Sequence, residues 1–192
     1  MSDRRKTRLL LLGPPGAGKG TQAAEIRRAL QVPHVSTGDM LREAVAKGTE
    51  VGKRAKAVME SGKLVSDEIV IGIARDRLQQ PDAAKGFILD GFPRTIAQAE
   101  ALDGLLADLK MPLDACIAIT VDTEAIVARL LKRAQIEGRA DDNEATIRER
   151  MKEYDAKTAP LLDYYRKRGL LEEVDGMGDV AEVTARLMEV IG

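Results

Sequence analysis

A chain of 192 residues, 44% hydrophobic and 32% charged, can bury one full domain core and is far from the composition of a disordered segment. Thirty basic residues nearly cancel 31 acidic ones, so a net charge of −1 argues against a nucleic-acid or membrane partner. Aromatic residues make up 3% and Trp is absent, which argues against a stacking platform for single-stranded bases.

The only cysteine, Cys116, excludes an internal disulfide and a multi-cysteine zinc site, as fits a reducing compartment. It sits in an apolar run and reads as a small core residue rather than a nucleophile. The N-terminus is basic, but the apolar run behind it, 9–12, is too short for a signal-peptide core. No stretch approaches membrane-spanning length, so the expectation is a cytoplasmic chain.

In chain order, residues 8–12 read as a strand, 18–31 as a helix, and the pair His34 and Val35 as a further short strand. Thr37 is placed to cap a helix continuing through Met40 and Leu41. Gly48, Gly52 and Gly62 then bracket short helical pieces, and 36–66 reads as a helical insertion without a strand. Ser66 precedes a helix at 67–79; 87–90 is a strand; Thr95 opens a helix at 95–109. Strand 115–121, helices 123–135 and 143–168, strand 171–174 and helix 179–191 complete the chain, with a polar turn at 138–143. The strands are continuous apolar runs rather than alternating ones, as expected where both sheet faces are covered. Strand–helix alternation of this kind predicts an α/β domain with a doubly wound, mostly parallel sheet of about five strands.

The strongest local signal is Gly13-Pro-Pro-Gly-Ala-Gly-Lys19-Gly-Thr21, between the first strand and the first helix. That context is what a phosphate-binding P-loop requires. Glycines let the backbone curl so that N–H groups point at phosphate oxygens, and the helix N-terminus adds partial positive charge. Lys19 supplies a full charge, for which a plain strand-to-helix turn has no use. Gly20 follows the lysine where the general pattern has Ser or Thr, with Thr21 next. Magnesium would therefore be held by nucleotide oxygens and waters, with Asp90 orienting it through a water.

This loop, followed by Gln22, resembles that of the nucleoside monophosphate kinases, adenylate kinases above all. Three further segments agree in order: Ser36-Thr-Gly-Asp-Met-Leu-Arg42, Asp90-Gly-Phe-Pro-Arg-Thr95 with Gln98, and Arg139-Ala-Asp-Asp142 followed by Arg148-Glu-Arg150. With Thr158-Ala-Pro-Leu-Leu162 and Val174-Asp-Gly176, the similarity covers almost the whole chain. It implies one adenylate kinase domain. The core would be 1–35, 66–131 and 143–192, the nucleoside-monophosphate insertion 36–65, and the lid a short one at 132–142. The implied reaction is reversible transfer of the terminal phosphoryl of Mg2+-ATP to AMP, giving two ADP, by a monomer.

Residue by residue, the resemblance implies that Gly16, Ala17, Gly18, Lys19, Gly20 and Thr21 wrap the ATP phosphates. Arg133 would face ATP, and the Gly178 backbone its adenine. Thr37, Arg42, Lys63, Leu64, Val65, Gly91, Phe92, Pro93, Arg94 and Gln98 would form the AMP site. Lys19, Arg94, Arg129, Arg133, Arg139 and Arg150 would be catalytic, Arg139 and Arg150 clamping the phosphates. Such chemistry needs alignment and charge neutralisation more than covalent help, and planar guanidinium forks suit it. The AMP phosphate is already an anionic nucleophile, so no general base is demanded.

The lid stretch has no cysteine, so the structural zinc of some long lids is not expected. A small lid movement and a larger movement of 36–65 are predicted. The nearest alternative is a UMP/CMP kinase. Against it, Thr37 stands where such kinases resemble Ala, and Thr95 where they tend to carry Asn. A guanine-reading switch would need Asn-Lys-x-Asp, but Asn143, the one asparagine, precedes Glu-Ala-Thr. His34 reads as structural or exposed, the tyrosines 154, 164 and 165 as packing, and Arg148 as a surface charge.

Overall fold

The computed structural model describes residues 5–14, 16–62, 65–137 and 143–192. Strand β1 (Arg8–Leu12) lies between β3 (Phe87–Asp90) and β4 (Ala115–Thr120), parallel to both, with Leu10 level with Leu89 and Cys116. Strand β2 (His34–Ser36) extends the sheet beyond β3, and β5 (Leu171–Asp175) extends it beyond β4. The order is β2-β3-β1-β4-β5, all parallel. The connections diverge about β1, and doubly wound sheets leave a crevice at the carboxyl ends of their strands at such a point.

The uninterrupted leucines of β1 follow from two cores, one on each face. Leu9 and Leu11 join Ile88, Ile117 and Ile119 against α1 (Lys19–Leu30) and α8 (Val180–Ile191). Leu10 and Leu12 join Phe87, Leu89 and Cys116 against α4 (Asp67–Leu78), α5 (Ile96–Asp108) and α7 (Glu144–Lys167). From Leu9 to Leu12 each side chain, on either face of the pleat, meets apolar cover, which disfavours a polar residue there. Cys116 is fully buried, and desolvation pushes its thiol up to about 12, in keeping with a core residue. A smaller cluster, Ile126 and Val127 with Ile147 and Met151, joins α6 (Thr123–Glu137) to α7.

Helices α2 (Thr37–Lys47) and α3 (Glu50–Glu60) stand between β2 and α4. Four details differ from the sequence reading. Thr37 does not cap α2: the Ser36 hydroxyl, on extended backbone, accepts from the Asp39 N–H, and Thr37 is the first helical residue. Gly52 does not separate two pieces but lies in the first turn of α3. A Cβ there would sit 2.1 Å from the Ala44 carbonyl oxygen, so glycine allows α3 to approach α2. Strand β4 ends one residue early, at Thr120, and β5 runs one residue further, to Asp175. Ser66, Thr95 and Asn143 cap α4, α5 and α7 through their side chains.

Candidate active site

The glycine-rich loop leaves the carboxyl end of β1 and turns directly into α1. Gly16 and Gly18 have φ of 82° and 77°, in the left-handed region that L side chains avoid. At Gly16 a Cβ would also lie 3.0 Å from Leu130 and 3.1 Å from Ile126, both on α6, so the curl is held from outside as well. Gly18 occupies the N-cap of α1 with no side chain to satisfy the first N–H groups. Those donors are thereby left for a ligand. Ala17 is buried, whereas Gly18, Gly20 and Thr21 are exposed. Gln22 is buried too; its amide donates to the Val180 carbonyl and accepts from the Thr184 hydroxyl, pinning α1 to α8.

Lys19 reaches across to β3, its Nζ 2.7 Å from Asp90 Oδ1. The other Asp90 oxygen lies 2.9 Å from Nε2 of His34, on β2. Burial works to raise the Asp90 carboxyl, but hydrogen bonds from His34 and Lys19 outweigh it and hold it below its ordinary value. This contact gives His34 a structural role beside the cleft. No spacing could have paired it with Asp90, because β2 and β3 meet only in the folded sheet.

After Asp90 the chain turns through Gly91, with φ of 80°, and a cis Phe92–Pro93 bond. Phe92 and Pro93 are buried. The Gly91 carbonyl accepts from the Thr37 hydroxyl at 3.1 Å and from Arg94 Nε at 2.9 Å. Gln98 Oε1 accepts from the Arg94 backbone N–H at 2.7 Å, and its Nε2 donates to Asp67 Oδ1 at 2.7 Å. Thr37, Gly91, Arg94 and Gln98 thus form one connected unit, to which Asp67 is an addition.

Loop, turn and two helices enclose a cleft of about 740 Å³. Gly13, Gly16, Gly18, Lys19 and Gly20 line it from the loop, and Gly91, Pro93 and Arg94 from the turn. Arg129 and Arg133, one turn apart on α6, face Arg150, Glu153, Tyr154, Lys157, Thr158 and Leu161 of α7. Among the described lining residues six cationic side chains therefore meet one carboxylate, the exposed Glu153. Such a surplus suits a ligand carrying several negative charges.

Tyr154 does more than pack: it is half-buried and lines this cleft, burial pushing its phenol up to about 12. Glu153, Lys157 and Thr158 were not singled out as lining residues either. Their spacing with Arg150 and Leu161 marks one helical face, a signal that becomes readable once α6 is known to lie opposite. Tyr165 is fully buried, and the Tyr164 hydroxyl donates to Asp103. Arg148 forms a forked pair with Glu124 at 2.8 Å and belongs to the surface network between α6 and α7.

Other predicted positions stand apart from this cleft. Arg42 is exposed and donates to Asp39 on its own helix, the chief cause of that carboxyl's lowered pKa. Val65 is half-buried against the larger core. Gly178 lies on the loop before α8, which Arg186 braces by donating to the Asp175 and Met177 carbonyls. Lys63, Leu64 and Arg139 lie outside the described residues. Among the described residues no cluster of three or more His, Cys, Asp or Glu could hold a metal, and no helix is long and apolar enough to cross a membrane.

With this geometry in hand, three relatives are informative. The chain is 54% identical over 184 residues to an adenylate kinase of Stenotrophomonas maltophilia strain K279a, covering 96% of this chain and 98% of that one. It is 53% identical to an adenylate kinase of Thermobifida fusca strain YX, covering 96% and 97%. It is 52% identical to that of Xylella fastidiosa strain 9a5c, covering 96% and 99%. The sequence model of adenylate kinase matches residues 11–170.

Proposed function

The chain belongs to the adenylate kinase family, and from that premise we propose how its residues transfer the terminal phosphoryl of ATP to AMP, giving two ADP. The observation that carries the reading is the meeting of Lys19, Arg94, Arg129, Arg133 and Arg150 around one cleft beside a glycine-rich helix N-terminus. Gly16 to Thr21 offer backbone N–H groups to the ATP phosphates. Lys19 exchanges Asp90 for a phosphate oxygen when ATP arrives. Arg133 faces ATP, and Gly178 lies toward its adenine.

AMP lies against Thr37, Arg42, Val65, the turn from Gly91 to Arg94, and Gln98, with Lys63 and Leu64 from the insertion. Arg94 holds its phosphate. An oxygen of that phosphate attacks the γ-phosphorus, and the bond to the β–γ bridging oxygen breaks as the new one forms. Arg129, Arg133, Arg139 and Arg150 neutralise charge on the oxygens in flight. The attacking oxygen carries no proton that must be removed, so no side chain acts as general base.

The donor set fits magnesium carried by the nucleotide. It offers one inward carboxylate at Asp90, a glycine after the P-loop lysine, and no dense ligand cluster among the described residues. Magnesium bound with ATP would supply charge neutralisation at the phosphates, and Asp90 is the residue that would hold it through a water. The single cysteine offers no basis for a structural zinc site in the lid.

Residues 36–65 act as an insertion that swings over AMP, and 132–142 as a short lid over ATP, excluding water as a competing acceptor. Structures with and without a two-substrate analogue test this, and an unmoved α2–α3 hairpin refutes it. We further infer a cytoplasmic monomer without a nucleic-acid partner, consistent with a net charge of −1.

A coupled assay for ADP, with ATP, magnesium and in turn AMP, CMP, UMP, GMP or no acceptor, tests the whole reading. Fast turnover with AMP alone is expected. Preference for CMP or UMP would move the base assignment to a pyrimidine kinase. Hydrolysis without acceptor would remove the transferase role.

A further inference from the structure

A glutamine carboxamide can select between bases only if its own orientation is settled. Rotation by half a turn about its last torsion exchanges oxygen for nitrogen at little steric cost. Adenine presents an amino donor at position 6 beside an acceptor ring nitrogen. Hypoxanthine and guanine present a carbonyl acceptor at position 6 instead. A freely turning Gln98 would adapt to either pattern and discriminate neither.

In this chain the amide does not turn freely. Its Oε1 accepts from the Arg94 backbone N–H at 2.7 Å, and its Nε2 donates to Asp67 Oδ1 at 2.7 Å. Neither partner can exchange roles, because a backbone N–H only donates and a carboxylate only accepts. A turned amide would set its oxygen against the carboxylate and its NH2 against the N–H. Two hydrogen bonds would be lost and two repulsive contacts made. The root of the side chain is held as well, since the Gln98 N–H donates to the Thr95 hydroxyl that caps α5. Asp67 is anchored in turn as the first residue of α4, behind the Ser66 cap. One N–H and one lone pair remain on the amide for a base, in a single polarity.

We propose that Asp67 is a specificity-determining residue, a positioning group that locks the Gln98 amide in the polarity adenine requires and so excludes purines with a carbonyl at position 6. The inference rests on the AMP reading above and deepens it. Asp67 touches no substrate; it acts through Gln98. Cytosine shares the donor–acceptor order of adenine and uracil does not, so the lock rejects UMP by polarity and leaves CMP to be rejected by shape.

Inosine monophosphate is the probe, because it differs from AMP only in the polarity of that edge. The kcat/KM ratio of AMP to inosine monophosphate is measured in the unaltered chain and in Asp67→Asn, Asp67→Ala, Asp67→Glu and Gln98→Ala. The ratio should fall about tenfold in Asp67→Asn and Asp67→Ala, the order that one charge-assisted hydrogen bond supplies, and recover in part in Asp67→Glu. The change should lie in KM rather than kcat, since the amide addresses the base and not the phosphates. A variant that is merely less stable loses activity on both acceptors and leaves the ratio where it was. An unchanged ratio in both Asp67→Asn and Asp67→Ala, with Gln98→Ala collapsing it, overturns the lock while leaving the AMP site intact. An unaltered chain inactive on AMP removes the site reading itself, and the lock falls with it.

Discussion

In the proposed reading, the phosphate end and the base end of this site solve different problems with different forces. At the phosphate end, Lys19, Arg94, Arg129, Arg133, Arg150 and Lys157 surround one cleft, and full charges act over several ångströms. At the base end, Thr37, Gly91, Arg94, Gln98 and Asp67 are joined by hydrogen bonds of 2.7 to 3.1 Å that act only at contact and in one direction. Charge can hold and neutralise phosphates but cannot tell one base from another. Hydrogen-bond polarity can tell them apart but contributes little to the transfer. Catalytic power and base selectivity should therefore fail separately.

The largest effect is expected at the phosphate end. Lys19→Ala should lower kcat by about 10³-fold with every acceptor alike, the upper range for removing one preorganised donor. Single-turnover measurement would show it, and loss with AMP alone would break the division. Arg94→Ala should cost about 10²-fold in kcat/KM for AMP. Arg94→Lys should recover only part of this, because an ammonium lacks the planar fork. Since Arg94 also fixes the turn through Gly91, titration of ATP alone should remain near normal, which separates the acceptor side from the donor side.

Gln98→Ala should reduce kcat/KM for AMP by about tenfold while leaving kcat within a few-fold, by loss of hydrogen bonds to the base. A fall in kcat as large as that of Arg94→Ala would merge the two ends.

The smallest expected effect concerns Asp90, where the ends meet. Its carboxyl is held below its ordinary 3.8, so the unfolded chain takes up the proton first. The stability it contributes is present above that value and is lost as pH falls through the lower folded value. The difference in melting temperature between the unaltered chain and Asp90→Asn should therefore shrink as pH drops below about 4. A constant difference would show that the His34 and Lys19 contacts do not hold the carboxylate.

Some of this was readable from residues close together in the chain. The loop from Gly13 to Thr21 spells its own geometry, because positive φ at Gly16 and Gly18 admits little but glycine. The apolar runs at 8–12, 87–90 and 115–121 mark a sheet covered on both faces. Ser66 and Thr95 announce helices whose caps they make. The resemblance marked Arg94, Arg129, Arg133 and Arg150, and the fold brings all four to one cleft. The Thr37 cap was misread because two neighbouring hydroxyls, Ser36 and Thr37, both suit that role. Only the fold shows that the second one donates to the Gly91 carbonyl.

What the chain determined by itself was therefore local: strands, most helix ends, the curl of the loop and the chemical types gathered for phosphate. Those properties rest on backbone sterics and on periodicity within a few residues. What only the tertiary structure decided was pairing across the sheet and between helices: His34 to Asp90 over 56 positions, Gln98 to Asp67 over 31, and the inward face of α7 that carries Tyr154. A hydrogen bond depends on distance and direction in space, and separation along the chain carries neither until β2 lies beside β3 and α4 beside α5.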